Sequence, residues 1–170
     1  IRPAVDAFAY DQVGWHLVTG QGFRLDPVGP LLQDEAITYQ GPLYQFFLAG
    51  LYWLFGHHYE VIWTAQALLR GLSVIFLFLL CKEIFGEGQR RIGWVAGAIF
   101  GFHPDLVEIS AMLMTETVFI FLSIVLVYAI VRFENGMSIE RAVVLGIVFA
   151  AAVLARSTIG ILGLVIAWLC

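Results

Sequence analysis

One carboxylate interrupts a long apolar run in the second half of the chain. Glu116 stands within the segment 111–131, where an unpaired charge is costly and an ionisable group usually faces a cavity or a partner. His103 lies on the preceding turn. Carboxylates and imidazoles gathered at one membrane surface can bind a divalent cation or take a proton from a hydroxyl. We therefore expect a functional site here, and Asp6, His103 and Glu116 are the residues that could hold a cation if one is used.

A second candidate group lies near the start of the chain. Asp6, Tyr10 and Val13 follow helical spacing, which predicts that Asp6 and Tyr10 share one helix face. Asp11 follows directly. The alternative for Asp6 is a helix cap, because aspartate is a preferred residue at helix N-termini.

Two arginines supply the opposite charge. Arg70 falls near the middle of an apolar segment, so we expect it to face the interior and to pair with a carboxylate or with backbone carbonyls. Arg156 follows another apolar segment, and its guanidinium could grip a phosphate through two hydrogen bonds. The alternative for Arg156 is an anchor to lipid headgroups.

Composition indicates what kind of protein positions these groups. The chain has 170 residues, of which 61% are hydrophobic and 13% charged, and its mean hydropathy is +0.88. Soluble domains carry about 25% charged residues. Nine Lys and Arg residues and a net charge of −4 also exclude a nucleic-acid-binding surface. The sequence therefore predicts an all-α polytopic membrane protein, and its ends at Ile1 and Cys170 suggest a piece of a longer chain.

The apolar segments divide the chain into two parts. Residues 1–60 are mixed in character and predict a large extracytoplasmic loop with two interfacial helices, over 6–19 and 42–55. A bilayer core of about 30 Å requires about 20 apolar helical residues. The predicted transmembrane region, 61–170, has segments at about 61–81, 92–104, 111–131, 142–155 and, cut short, 159–170.

Basic residues give the orientation of this region. The loops 82–91 and 132–141 flank one predicted hairpin and therefore lie on the same side, and together they hold most of the Lys and Arg residues. The positive-inside rule makes that side cytoplasmic. Residues 1–60, the turn containing His103, and Arg156 then lie on the extracytoplasmic side.

An ordered series of short motifs extends along essentially the whole chain and resembles the GT-C-type glycosyltransferases. The most similar groups are the dolichyl-phosphate-mannose protein mannosyltransferases and the bacterial aminoarabinose transferases of lipid A. The motifs are Asp6 with Tyr10, Gly20-Gln-Gly22-Phe23, Gly41-Pro42-Leu43-Tyr44, Phe47 to Tyr52, Leu54-Phe55-Gly56, Gln66 to Leu69, Leu80 through Phe85-Gly86, His103-Pro104, Met112 to Glu116, and Leu154-Ala155-Arg156.

The resemblance implies an inverting transferase that moves a sugar from a polyprenyl-phosphate donor to a protein, lipid or glycan acceptor outside the cytoplasm. It places Asp6 as the catalytic base, Glu116 in the catalytic cavity and Arg156 on the lipid phosphate. Tyr10, Asp11 and His103 are expected to contact substrate. The acidic pair common in such motifs is here Asp6-Ala7, so Asp11 is the reserve candidate for the base.

A prokaryotic plasma membrane is the expected location. The alternative function is a transporter or flippase for a lipid-linked or anionic substrate, in which the same carboxylates and Arg70 would serve translocation or proton relay. That function predicts internal repeats. The sequence shows no repeat within its 170 residues, which favours the enzyme.

Overall fold

The described part of the chain is entirely helical. The computed structural model describes residues 5–25 and 41–160, except for the side chains of Val5 and Asp6. The truncated segment predicted over 159–170 lies largely outside these residues. The helices are α1 (Val5–Val18), α2 (Leu43–Phe55), α3 (Tyr59–Phe85), α4 (Arg90–Phe102), α5 (Pro104–Ser110), α6 (Glu116–Glu134) and α7 (Ile139–Ala155), with short 3₁₀ turns at Glu87–Gln89 and Ser157–Ile159.

Helix α3 is the centre of the bundle. It packs against α4 on one side and α6 on the other, and α6 in turn packs against α7. One buried cluster, around Leu126, Leu145 and Ala152, joins α6 to α7. The order across the bundle is therefore α4, α3, α6, α7.

Helices α1 and α2 form a pair that covers one end of this bundle. Tyr10 meets Tyr44 edge-on with ring centroids 5.2 Å apart. A Cβ on Gly14 would lie only 2.9 Å from the Cβ of Leu48, so glycine permits the close approach of the two helices. Tyr10, Tyr44 and Leu48 continue into a core with residues of α3 and α6, and the pair is thereby fixed to the bundle.

The opposite end of the bundle is held by polar contacts. Arg132 of α6 donates a hydrogen bond of 2.8 Å to Glu83 near the end of α3, and Asn135 donates to the same carboxylate over 3.2 Å. The Arg132 hydrogen bond lowers the pKa of Glu83 below its usual value. Lys82 and Arg90 both pair with Glu87. The two basic loops therefore lie at the same end of the bundle.

Helix boundaries differ from the predicted segments by a few residues at several ends, and most clearly in two places. The segment predicted over 92–104 ends at Phe102, because Pro104 begins the separate short helix α5. The segment predicted over 111–131 becomes helical only at Glu116, after an irregular turn. Among the described residues, Glu116–Glu134 is the helix that is long and apolar enough to cross a membrane, and Leu43–Phe55 is apolar but shorter.

Candidate functional site

Asp11 is the centre of a buried polar cluster at the covered end of the bundle. Its carboxylate belongs to α1 and is 6% exposed. Tyr52 of α2 donates its hydroxyl proton to Oδ1, and Tyr59 of α3 donates to Oδ2 over 2.8 Å. The His57 Nε2 atom lies 2.9 Å from Oδ1. A carboxylate offers about four acceptor positions, so these three neighbours leave little of its capacity unused.

A tight turn brings His57 and Tyr59 to Asp11. Helix α2 ends at Gly56, whose φ of +80° lies in the region that glycine adopts without a Cβ penalty. The chain reverses there, and α3 begins at Tyr59. His57 stands between the two helices with its ring 4.5 Å from that of Tyr52. The glycine turn thus places His57 and Tyr59, which are close in sequence, next to the same carboxylate.

The carboxylate controls the proton affinity of its phenol partners. Burial, together with the hydrogen bond to Asp11, raises the pKa of Tyr59 from 10.0 to about 12. The same two causes raise the pKa of Tyr52 further. Both phenols consequently remain protonated donors throughout the physiological range, and the cluster keeps one pattern of hydrogen bonds.

The cluster opens onto a cleft of about 410 Å³. The cleft is lined by α1, which carries Asp11, by the Gly56 turn, by α3 and by the turn before α6. The residues that line it are Ala7, Phe8, Asp11, Gln12, His57, Tyr59, Trp63 and Leu113.

Glu116 and Arg156 form a second, more open group. Glu116 begins α6 and Arg156 follows the end of α7. Arg156 Nη1 lies 3.9 Å from Glu116 Oε1, and the two side chains are 51% and 33% exposed. Thr115 donates to the other carboxylate oxygen over 3.3 Å, and the guanidinium lies 5.5 Å from the centre of the Phe119 ring. This contact is loose enough for the guanidinium to exchange it for another anion.

Tyr44 is within electrostatic range of both acidic groups. Burial raises its pKa, and the charges of Tyr10, Glu116 and Asp11 raise it further. Both carboxylates are therefore close enough to influence one phenol. The Tyr44 hydroxyl donates to Gln66 Oε1 over 2.8 Å, so the link between the groups continues into α3.

Gln66 fixes the turn that precedes Glu116. Its amide nitrogen donates to the carbonyls of Ser110 and Met112 over 2.9 and 2.8 Å, and the side chain is fully buried. Ser110 is the last residue of α5, and Met112 belongs to the turn between α5 and α6. Gln66 thereby positions the start of α6, and with it Glu116, relative to α2 and α3.

Arg70 turns inward, as expected, and among the described residues its partners are a carbonyl and a hydroxyl rather than carboxylates. One nitrogen donates to the Gly101 carbonyl and another is 3.5 Å from the Ser110 hydroxyl. Within the described residues, Arg70 Nε and Thr117 Oγ1 are buried without a hydrogen-bond partner. Both residues line a small cavity between α3, α5 and α6.

The remaining candidates occupy different surroundings. Asp6 lies in the first turn of α1, and its side chain is outside the described part of the structure. Tyr10 is buried against Tyr44, whereas His103 is exposed at the junction of α4 and α5. Among the described residues, no group of three or more His, Cys, Asp or Glu side chains is arranged to hold a metal ion.

Four residues of the site were not predicted from sequence: Tyr52, His57, Tyr59 and Gln66. Gln66 belongs to one of the quoted motifs, but nothing nearby in sequence indicates its hydrogen bonds. Tyr52 lies four residues before Gly56 and Tyr59 three residues after it, and this placement on either side of a glycine turn is the signal that could have paired them.

Comparison with known proteins gives one match. The model of the dolichyl-phosphate-mannose-protein mannosyltransferase family matches residues 39–170. This range includes α2 to α7, Glu116 and Arg156, and begins after α1. No curated protein and no solved structure matches the chain.

Proposed function

Since the chain belongs to the dolichyl-phosphate-mannose-protein mannosyltransferase family, we propose that it is an inverting membrane glycosyltransferase acting on an extracytoplasmic acceptor. Family membership makes it a glycosyltransferase with a lipid-linked sugar donor. The observation that carries the finer proposal is the arrangement at one end of the bundle, where Tyr10 of α1 packs on Tyr44 and Glu116 pairs with Arg156.

Exposed apolar surface supports a polytopic arrangement in the membrane. Trp94 and Phe102 of α4 are 70% and 86% exposed, and Ile147 of α7 is 65% exposed. Large apolar surface of this kind favours a lipid environment. Helix α3 has 27 residues, which at about 1.5 Å each gives about 40 Å, enough to cross a hydrocarbon core of about 30 Å. We propose that residues 61–170 form the transmembrane region and residues 1–60 the extracytoplasmic loop.

The proposed reaction requires a base and a site for the leaving group. The acceptor hydroxyl oxygen attacks the anomeric carbon, the bond from that carbon to the phosphate oxygen breaks, and the hydroxyl proton passes to the base. We assign the base to Asp6 in the first turn of α1. Arg156 stabilises the departing lipid phosphate, and Glu116 shapes the cavity between them. A phosphate monoester leaves as an anion, so no acid is required to protonate it.

The hydrogen bonds of Asp11 favour a supporting role for this residue. Its partners belong to α2, to the Gly56 turn and to α3, so Asp11 anchors the helix that carries Asp6. We propose that Asp11, with Tyr10 and His103, serves substrate binding and positioning.

Turnover of lipid-linked sugars tests the proposal. We expect the full-length protein in nanodiscs to consume at least one member of a panel of radiolabelled polyprenyl-phosphate sugars, with mannose first. Asp6→Asn should lower kcat by about 100-fold or more, as loss of a general base does, and should leave donor binding intact. Glu140→Gln, an exposed carboxylate at the start of α7, is the matched control and should retain wild-type turnover.

The transporter alternative predicts a different result. In that case wild-type protein consumes no donor, while proteoliposomes containing it move a lipid or an ion across the bilayer. Such a result would exclude the enzymatic function. Full turnover by Asp6→Asn would instead overturn only the assignment of the base.

A further inference from the structure

The cleft beside Asp11 has two aromatic walls. Phe8 projects from α1, while Tyr59 and Trp63 project from successive turns of α3. These three side chains are 52%, 39% and 44% exposed. The Tyr59 and Trp63 rings lie nearly parallel, at 28°, with centroids 6.4 Å apart. Tyr59 and Trp63 together present an aromatic surface to the cleft from α3, and Phe8 adds one from α1.

Polar groups accompany this surface and are already held in place. Asp11 fixes the Tyr59 hydroxyl and one nitrogen of His57. The other His57 nitrogen, Nδ1, and the Gln12 amide form no hydrogen bond with any described residue. The cleft therefore combines apolar walls with a few polar atoms that have capacity for a ligand.

This combination matches the two-sided chemistry of a pyranose ring. One face of the ring presents C–H groups, which pack on the electron-rich face of an aromatic side chain, and the edge presents hydroxyls. Pockets of about 300–1,000 Å³ accommodate small ligands, and the cleft is about 410 Å³. A lipid chain would not need the polar atoms, and aromatic residues at the membrane interface need no cleft or carboxylate-held partners.

We propose that this cleft is a binding site for a pyranose ring, with Trp63 as the stacking surface and His57, Gln12 and the Tyr59 hydroxyl as hydrogen-bonding groups. The inference rests on the proposed glycosyltransferase function and adds a location for a sugar. The ring can belong to the donor or to a glycan acceptor, because the two share the same chemistry.

Saturation-transfer NMR with methyl α-mannoside tests the site on the full-length protein in nanodiscs, without donor. In the wild type we expect saturation on the ring C–H protons, strongest on the face that stacks. Trp63→Leu should weaken binding by about five- to tenfold, the loss expected for an aromatic contact. Trp63→Phe, which keeps an aromatic face, should retain most of the affinity.

Trp53→Leu is the matched control for these variants. Trp53 is 76% exposed on α2 and is not part of the cleft. It makes the same chemical change as Trp63→Leu and should leave binding unchanged. Absence of saturation transfer in the wild type, or equal loss in the two leucine variants, would overturn the proposed site.

Added donor identifies the source of the ring. Displacement of the mannoside by polyprenyl-phosphate-mannose supports a donor-sugar site, and simultaneous binding supports an acceptor site. Donor turnover measured on the same samples separates the two proposals. Turnover without mannoside binding overturns the cleft site alone, whereas binding without turnover of any donor overturns the glycosyltransferase function.

Discussion

Asp11 joins four parts of the chain through one side chain. The carboxylate lies on α1, and its partners lie on α2, in the Gly56 turn and on α3. Removing Asp11 would leave the Tyr52 hydroxyl buried without its partner, which costs about 1–3 kcal/mol, and would take a partner from the more exposed Tyr59 and His57. The position of α1 therefore depends on residues 41 to 48 positions away.

The titration of two tyrosines reports on this cluster. Because burial and the hydrogen bonds to Asp11 raise the pKa of both phenols, we expect Tyr52 and Tyr59 to ionise at higher pH than ordinary tyrosines. Asp11→Asn should move both pKa values down toward 10.0. The ultraviolet absorbance of the phenolate, followed against pH, measures these pKa values. Comparison with Tyr59→Phe identifies the part of the absorbance change that comes from Tyr59. An identical titration curve in Asp11→Asn would contradict the arrangement.

The same pKa shift makes stability depend on pH. Folding raises the pKa of Tyr59, so its stabilising contribution is complete below the ordinary pKa of 10.0 and is lost as pH rises through about 12. We therefore expect the free energy of unfolding to fall less steeply with pH, between 10.0 and about 12, in Tyr59→Phe than in the wild type. Unfolding measured at a series of alkaline pH values tests this.

Gln66 provides a second prediction for a single residue. Gln66→Leu leaves the Tyr44 hydroxyl and the carbonyls of Ser110 and Met112 without their partner. We expect the free energy of unfolding to fall by about 2–4 kcal/mol, given about 1–3 kcal/mol for each buried unpaired group and partial relaxation. Unfolding in lipid or mild detergent measures the change. Gln89→Leu, at an exposed position, should have little effect, and an equally small effect of Gln66→Leu would show that the network contributes little.

Local patterns cannot reveal these residues. A pattern of a few positions detects Asp6 and Tyr10 on one helix face, but Asp11 meets His57 across 46 positions, and only the packing of α1 on α2 and α3 creates that contact. Glu116 could be identified from sequence, because a carboxylate within an apolar run has a high free-energy cost unless it faces a cavity or a partner.

At the level of elements, glycines determine how closely α4 approaches α3. Gly93 and Gly97 face α3 on successive turns, and a Cβ on Gly93 would lie 2.7 Å from the Phe78 ring. On Gly97 it would lie 3.2 Å from a methyl of Val74. Small residues at this spacing allow close contact between membrane helices.

A larger side chain should separate the two helices. We expect Gly93→Leu to lower the free energy of unfolding by about 1–3 kcal/mol, the usual cost of overpacking. Gly146→Leu on α7, where a Cβ would meet nothing within 4 Å, is the control in a helix of similar character. Similar free energies of unfolding for the two variants would mean that α4 can move away from α3 without loss of stability.

Helices were more predictable than their ends. Apolar runs indicate helices because burial and lipid both favour them, and the all-helical prediction is confirmed for the described residues. Helix α5 was not predicted, since seven residues are too few for a periodic pattern and Pro104 suggested only a turn. Its start follows from that proline, which is well accommodated in the first turn of a helix.

For the molecule as a whole, the two ends of the bundle differ in chemistry. The basic loops joined through Glu83 and Arg132 lie at one end, and the acidic groups of Asp11 and Glu116 lie at the other. From the positive-inside rule we propose that the first end is cytoplasmic and that the site opens on the opposite side of the membrane.

Cysteine labelling tests this orientation. In a chain whose own cysteines are replaced, we expect an impermeant maleimide to label Gln21→Cys and Asp105→Cys in intact spheroplasts. Gln89→Cys and Met137→Cys should react only after lysis. Equal labelling of all four variants in denaturant controls for reactivity. Labelling of positions 89 and 137 in intact cells would reverse the orientation.

The contact between Arg70 and the Gly101 carbonyl also bears on biogenesis. In the proposed transmembrane arrangement, an isolated α3 entering the bilayer would carry an unpartnered guanidinium at a cost of about 2.5–3.5 kcal/mol. The carbonyl it binds is in the last turn of α4, where backbone carbonyls have no acceptor role within the helix itself. Helix α3 therefore supplies the donor and α4 the acceptor of this hydrogen bond. Inserting the two helices together as a hairpin costs less free energy than inserting them one at a time.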